Sequence, residues 1–171
     1  MKKPKASRPH MPGYGIADAK GGKGLLPWKW ARERLEKGRT YWIATYSADA
    51  GQPHVMPVWG VWFGDAFFFS TGNQSRKARN LAVNSRCSIA TEIDFEKRPK
   101  KGQIKDSVIL EGAAVLLSDS RTRKKFSKIY EEKYAWDMKD FEEPIYRVSP
   151  KVVFGLTSEF DQTATRWTFD E

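Results

Sequence analysis

Hydrophobic and polar positions change period several times along this chain, and each change marks an element. Trp28, Ala31 and Leu35 fall on one helical face between Pro27, a favoured opening residue, and Gly38, a favoured stop. Thr40 to Ser47 is aromatic and β-branched, which predicts a first strand, and Asp49-Ala50-Gly51 predicts the turn after it. The β-branched and aromatic residues before and after Gly64-Asp65 predict two strands joined by a tight hairpin. Pro57 lies inside the earlier of these, and a residue without an N–H belongs at a sheet edge or a bulge. After Gly72 the period becomes helical: Ala78, Leu81 and Ala82 make one apolar face behind a capping Ser75. Arg86 to Ile93 and Asp106 to Leu117 read as strands, the second with a glycine kink at Gly112. Asp119 caps a helix running to about Lys133, with Phe126, Ile129 and Tyr130 at helical spacing. Residues 134–149 read as irregular, anchored by Trp136, Phe141 and Tyr146, and two strands close the chain at Lys151 to Leu156 and Thr163 to Phe169.

Six or seven antiparallel strands, short hairpins and about three helices predict a mainly β fold, a closed or nearly closed barrel. The order of strands, helix, strands, helix, strands excludes a doubly wound parallel sheet. A length of 171 residues suits one domain with a proper core. Met1 to Leu26, rich in Lys, Gly and Pro, reads as an irregular arm, disordered over its first ten or so positions. The organisation expected is a basic flexible arm over residues 1–24 and one domain over 25–171. Asp94 to Lys105, with Lys97-Arg98-Pro99-Lys100-Lys101-Gly102, reads as a solvated hairpin tip.

Net charge is +9, unevenly spread: residues 1–39 hold 11 Lys/Arg against 3 Asp/Glu, and residues 40–171 hold 19 against 18. The high pI belongs to the leader and first helix, and the body carries no basic stripe or nucleic-acid motif, so nucleic acid is not the expected partner. Cys87 is the single cysteine, in the apolar run Cys87-Ser88-Ile89-Ala90, which rules out an internal disulfide framework and suits a reducing cytoplasm. No apolar run approaches a membrane span, and the first residues lack the apolar core of a signal peptide.

Candidate chemistry concentrates at Ser75. Arg76, Lys77 and Arg79 follow it in the opening of the helix, where the macrodipole is already positive and carboxylates are preferred. Nothing acidic lies between Asp65 and Glu92. Free N–H groups, a hydroxyl and clustered cations describe an anion site, most naturally for phosphate; the alternative is a solvated basic helix. The three cations point in different directions on an ideal helix, so two are expected on the anion and one elsewhere. Other chemistry is thin. The histidines are His10 in the arm and His54 on a strand, which gives no His/Cys cluster for zinc and no triad context for a hydrolase.

With these elements placed, the central stretch resembles the pyridoxamine-phosphate-oxidase-like, FMN-binding split-barrel family. The resemblance rests on Gly51-Gln52-Pro53 with the strand after it, on Ser70-Thr71 followed by Ser75-Arg76-Lys77-Ala78, and on Ala164-Thr165-Arg166-Trp167-Thr168-Phe169; it covers about residues 25–171. It implies an antiparallel, Greek-key-like split barrel that forms a homodimer with flavin at the subunit interface. By that resemblance Met56, Pro57, Val58 and Trp59 border the isoalloxazine ring, largely through backbone. Ser70 and Thr71 reach the ribityl and phosphate region, and Arg76 and Lys77, beside Ser75, hold the phosphate. Ser107 stands where the oxidase has Gln, and Trp167 with Arg166 comes from the second subunit.

The closing Arg166-Trp167-Thr168-Phe169 departs from the Arg-x-His-x-Arg type motif of true pyridoxamine-phosphate oxidases, so vitamin oxidation is not expected. The expected function is an FMN-dependent oxidoreductase acting on a small conjugated substrate at the dimer interface, with no catalytic residue assigned. Two alternatives stand beside it. One is a reductase of the same fold that uses the deazaflavin coenzyme F-420, with Lys97 to Lys101 or the arm as a basic rim. The other is a non-catalytic flavin- or haem-binding protein, for which His54 is the candidate haem ligand in the body.

Overall fold

A computed structural model describes residues 3–47, 49–93 and 105–170. In chain order the elements are β1 (Lys5–Ser7), α1 (Trp28–Lys37), β2 (Tyr41–Ser47), β3 (Gln52–Val58), β4 (Gly60–Phe63), β5 (Ala66–Ser70), α2 (Arg76–Val83) and β6 (Arg86–Ile93). They continue with β7 (Asp106–Leu116), α3 (Ser120–Tyr134), β8 (Ile145–Leu156), α4 (Phe160–Thr163) and β9 (Thr165–Thr168). Hydrogen-bonded neighbours run β1-β9-β8-β7-β6-β2-β3, and β5 pairs with both β4 and β8. The fold is thus mainly β and antiparallel, with α4 added to the three expected helices. The hairpin tip expected over Asp94 to Lys105 lies, except for Lys105, outside the described residues. Among the described residues no helix is long and apolar enough to cross a membrane.

The chain divides into two compact units. The first comprises Met1–Gly38, Ala90–Leu110 and Lys151–Glu171, the second Arg39–Ile89 and Glu111–Pro150.

In the first unit Trp167 is the centre of the packing. Its ring lies edge-on to Trp28 at 5.6 Å and stacked on Trp30 at 6.5 Å. Gly155 makes room for this, since a Cβ there would stand 2.7 Å from Trp30 and 2.8 Å from Trp167. Arg34, nearly buried on α1, lies over Trp30 at 3.8 Å and pairs with Asp106. The expectation of an irregular arm fails at Lys5–Ser7, which pairs antiparallel with β9 (Lys5↔Thr168, Ser7↔Arg166). Arg8 then ties the chain down by donating to the carbonyls of Ala17 (2.9 Å), Ala164 (2.9 Å) and Gln162 (2.6 Å). These partners are distant in sequence, which is why local composition gives no sign of them.

In the second unit β2 alternates as a half-buried strand should: Tyr41, Ile43, Thr45 and Ser47 face in, and Trp42 and Tyr46 face out. Its register with β3 (Tyr41↔Val58, Trp42↔Pro57, Thr45↔His54, Tyr46↔Pro53) puts both prolines on the outward face, in the last strand of the hydrogen-bonded order. That is the edge position expected for Pro57. The single strand expected up to Phe63 breaks at Trp59 instead, because β3 pairs with β2 whereas β4 pairs with β5. Gly64 (φ 53°) and Asp65 (φ 59°) are both left-handed, the combination a two-residue hairpin of matching twist requires. The core here gathers Val61, Ala66, Phe68, Phe126, Tyr130, Met138 and Ile145.

Two further expectations change. Residues 145–149 form strand rather than irregular chain: Ile145 to Val148 pair with β5 and Val152 to Gly155 with β9, and Pro150 falls between these two stretches. Trp136 is 52% exposed and anchors nothing in the core. As expected, one long strand, β7, runs through Gly112, whose missing Cβ leaves room for the Ser149 carbonyl, which a side chain would meet at 2.3 Å.

Candidate functional site

The candidate site lies in the second unit and is organised by the start of α2. Ser75 Oγ accepts the Ala78 N–H at 3.1 Å and the Thr71 hydroxyl donates to it at 3.0 Å, so the turn and the helix cap are one hydrogen-bonded piece. Ala78, Asn80 and Leu81 are buried, and Asn80 Nδ2 donates to Thr45 Oγ1 at 3.0 Å, fixing the helix against β2. The first turn holds no acidic residue.

The three cations separate as their spacing predicts. Arg76 donates to Ser47 Oγ at 3.3 Å, whereas Arg79 turns back to the Gln74 carbonyl at 2.5 Å. Lys77 is half-buried, and that burial lowers the proton affinity of its ammonium below the ordinary range. Among the described residues neither Arg76 nor Lys77 has a carboxylate partner. His54, opposite Thr45 on β3, lies close enough to feel both charges. Desolvation first, then Arg76 and Lys77, lower its pKa, so the imidazole is neutral at pH 7. Its Nδ1 is shielded from solvent and has no hydrogen-bond partner among the described residues. Two cations without counter-charge and an orphaned imidazole nitrogen are unfilled bonding capacity gathered in one place.

The other end of β3 leads to an aromatic platform. Trp59, 44% exposed, stacks on Tyr134 at 5.1 Å with the rings 6° from parallel, and Trp136 meets it edge-on at 5.8 Å. Beneath Trp59 the Gly60 peptide is gripped by the end of α3. Lys133 Nζ donates to Tyr41 Oη (2.9 Å) and to the Gly60 carbonyl (3.1 Å), and the Tyr134 hydroxyl accepts the Gly60 N–H at 3.0 Å. Burial pushes the Lys133 ammonium down to about 8 and the Tyr134 phenol up to about 12.

Of the residues singled out by sequence, Met56, Pro57, Val58, Trp59, Ser70, Thr71, Ser75, Arg76 and Lys77 all belong to this unit. Met56 is 43% exposed, but the Val58 side chain is buried in the core, so that position can offer a ligand only its backbone. Ser70 Oγ is committed to the Pro144 carbonyl at 2.7 Å. Ser107, Arg166 and Trp167 belong to the first unit. Ser107 Oγ donates to the Lys105 carbonyl at 3.3 Å, and Arg166 is half-buried. Trp167 corrects the sequence reading: at 1% exposure, packed between Trp28 and Trp30, it is core of its own chain and presents no ring to a second subunit. Ser47, Thr45 and Asn80 were missed; the β2 alternation puts Thr45 and Ser47 on the face that α2 covers. Lys133 and Tyr134 were missed as well, and nothing local marks them. Among the described residues no His, Cys, Asp and Glu group is placed to hold a metal ion.

Solved structures with this fold include a conserved hypothetical protein of Mycobacterium tuberculosis, 18% identical, with a TM-score of 0.67 over 80% of this chain and 88% of that one. A FAD-binding protein of Mesorhizobium loti is 16% identical, with a TM-score of 0.60 over 84% and 96%. A heme binding protein of Mycobacterium smegmatis is 18% identical, with a TM-score of 0.61 over 78% and 59%. They place the fold among the split barrels. The family profile described as pyridoxamine 5'-phosphate oxidase matches residues 28–159, and the chain belongs to that family. A search of curated proteins returns no match.

Proposed function

We propose that this chain is an FMN-dependent oxidoreductase acting on a small planar or conjugated substrate. The observation that carries the reading is the opening of α2, where Arg76 and Lys77 stand without a carboxylate beside the unpartnered Nδ1 of His54. A phosphate monoester fits that donor set: two cations, the exposed N–H groups of a first helical turn and the Thr71–Ser75 hydroxyl pair. The backbone from Met56 to Trp59 would border the ring, and Trp59, braced on Tyr134, would limit solvent access to it. The bound flavin supplies hydride and electron transfer, and the chain binds, orients and shields it. No side chain here is assigned a proton-transfer step. The reading carries with it a homodimer, supported by an outward apolar face on β2 and β3 made by Trp42, Tyr46, Pro53, Val55 and Pro57.

The test is titration of the purified protein with FMN, followed by flavin fluorescence, with light scattering for mass. Wild type should bind, and Arg76→Ala/Lys77→Ala should lose at least 100-fold in affinity, given roughly 1.5–3 kcal/mol for each charge-assisted bond. Wild type that fails to take up FMN, or a double variant that binds as tightly, overturns the proposal. A second reading, haem binding without turnover, is favoured by the free Nδ1 and neutral state of His54. A haem absorbance band lost in His54→Ala would decide for it.

A further inference from the structure

A second concentration of positive charge, separate from the α2 residues, surrounds an open cleft of about 690 Å³ in the second unit. Its apolar lining is Phe63, Phe68 and Leu117, the two rings parallel at 4.1 Å and 9°. Its polar lining brings Arg121 and Lys125 from α3 together with Arg147 from β8. Lys125 Nζ lies 5.2 Å from the centre of the Phe63 ring, so one cation is already held against the aromatic floor. Among the described residues none of the three cations has an ion-pair partner. One acid also lines it: Asp119 caps α3, its Oδ2 accepting the Thr122 N–H at 2.7 Å, and its carboxylate interacts electrostatically with Arg121. Three cations against one carboxylate leave the hollow with a positive excess, and an arrangement of this kind gains when an anion lies among them.

The geometry points to a binding site for an organic anion of about mononucleotide size, with phosphate or carboxylate groups held by Arg121, Arg147 and Lys125, and an apolar body that packs against Leu117 and takes the place of Lys125 over the Phe63 ring. The volume falls in the range of small-ligand clefts and far exceeds a single phosphate. A flat face beside guanidinium groups suits a ring system carrying its charge at one end. The site involves none of the residues assigned to flavin, so the two proposals stand or fall separately.

The experiment titrates the full chain with adenosine 5'-monophosphate, inorganic phosphate and adenosine, read by calorimetry and by amide shifts at Gly64 and Thr122. It is run on wild type, Arg121→Ala/Arg147→Ala, Phe63→Leu and Arg76→Ala/Lys77→Ala, with circular dichroism to check that each is folded. The monophosphate should bind at least tenfold more tightly than phosphate or adenosine. Arg121→Ala/Arg147→Ala should weaken it tenfold or more, Phe63→Leu threefold or more, and Arg76→Ala/Lys77→Ala less than twofold. Affinity unmoved in the Arg121→Ala/Arg147→Ala variant overturns the inference, as does affinity lost only in the α2 variant. A mixed-sequence oligonucleotide that binds more tightly than the monophosphate and ignores Phe63→Leu would make this a nucleic-acid face and overturn it too.

Discussion

Lys133 is the most informative single position to perturb. Its ammonium is inserted between Tyr41 Oη and the Gly60 carbonyl, with the Tyr134 ring beside it and Arg39 contributing repulsion. Desolvation, with a smaller part from Arg39, lowers its pKa from 10.5 to about 8. Below pH 8 the group is protonated in both folded and unfolded chains. Between 8 and 10.5 the unfolded chain binds more proton than the folded one, so stability rises with pH across that window and levels off above it. The full difference corresponds to about 3.4 kcal/mol at 1.36 kcal/mol per pH unit. Residual solvent contact of the side chain screens this, leaving about 1–2 kcal/mol. Cys87, pushed up to about 12 by burial, and the tyrosines act in the opposite sense at high pH, so the wild-type profile alone is ambiguous. The difference between wild type and Lys133→Met removes those shared contributions. Urea unfolding at pH 7.5, 8.5, 9.5 and 10.5 should show wild type gaining about 1–2 kcal/mol on the variant as pH rises. A difference that stays flat, or that falls with pH, would refute the idea of a desolvated ammonium clamped at Gly60.

Two further outcomes follow from packing. In Gly60→Ala the new Cβ would meet the Phe67 ring at 2.2 Å, so the variant should lose at least about 2 kcal/mol, seen as a melting point lower by about 5 °C or more. Arg8→Ala removes four carbonyl contacts, to Ala17, Lys23, Gln162 and Ala164, that hold the chain after β1, and amide exchange at Lys5–Ser7 should quicken at least tenfold while that of β5 is unchanged.

What could be read from the sequence follows the range of the forces involved. Ser75, its cap bond and the cations behind it lie within a few residues of one another, so α2 and its charge anomaly were legible. The existence of β2 and the Gly64-Asp65 turn were legible for the same reason. The β8 start was hidden because Glu142-Glu143-Pro144 and Pro150 have loop composition, and only pairing with Phe67 to Ser70 makes Ile145–Ser149 a strand. The first strand was hidden more deeply: Lys5-Ala6-Ser7 has no apolar pattern, and its partner comes about 160 residues later. At the site, the clamp on Gly60 comes from side chains 73 and 74 residues further on, beyond any local signal. Trp167 was misassigned because a tryptophan in a family motif position looks the same in sequence whether it meets a ligand or fills a core.

The prolines of β3 bear on how the protein avoids its own kind. Val55 and Met56 are exposed on a terminal strand, the sort of segment that recruits further chains into cross-β stacks. Pro53 and Pro57 share one parity, and proline is tolerated in a ladder only where its absent N–H would point away from the neighbour. Fibril growth by strand addition is therefore starved of donors along this border. Replacing both prolines by valine would complete the row of donors, with seeded aggregation as the expected cost.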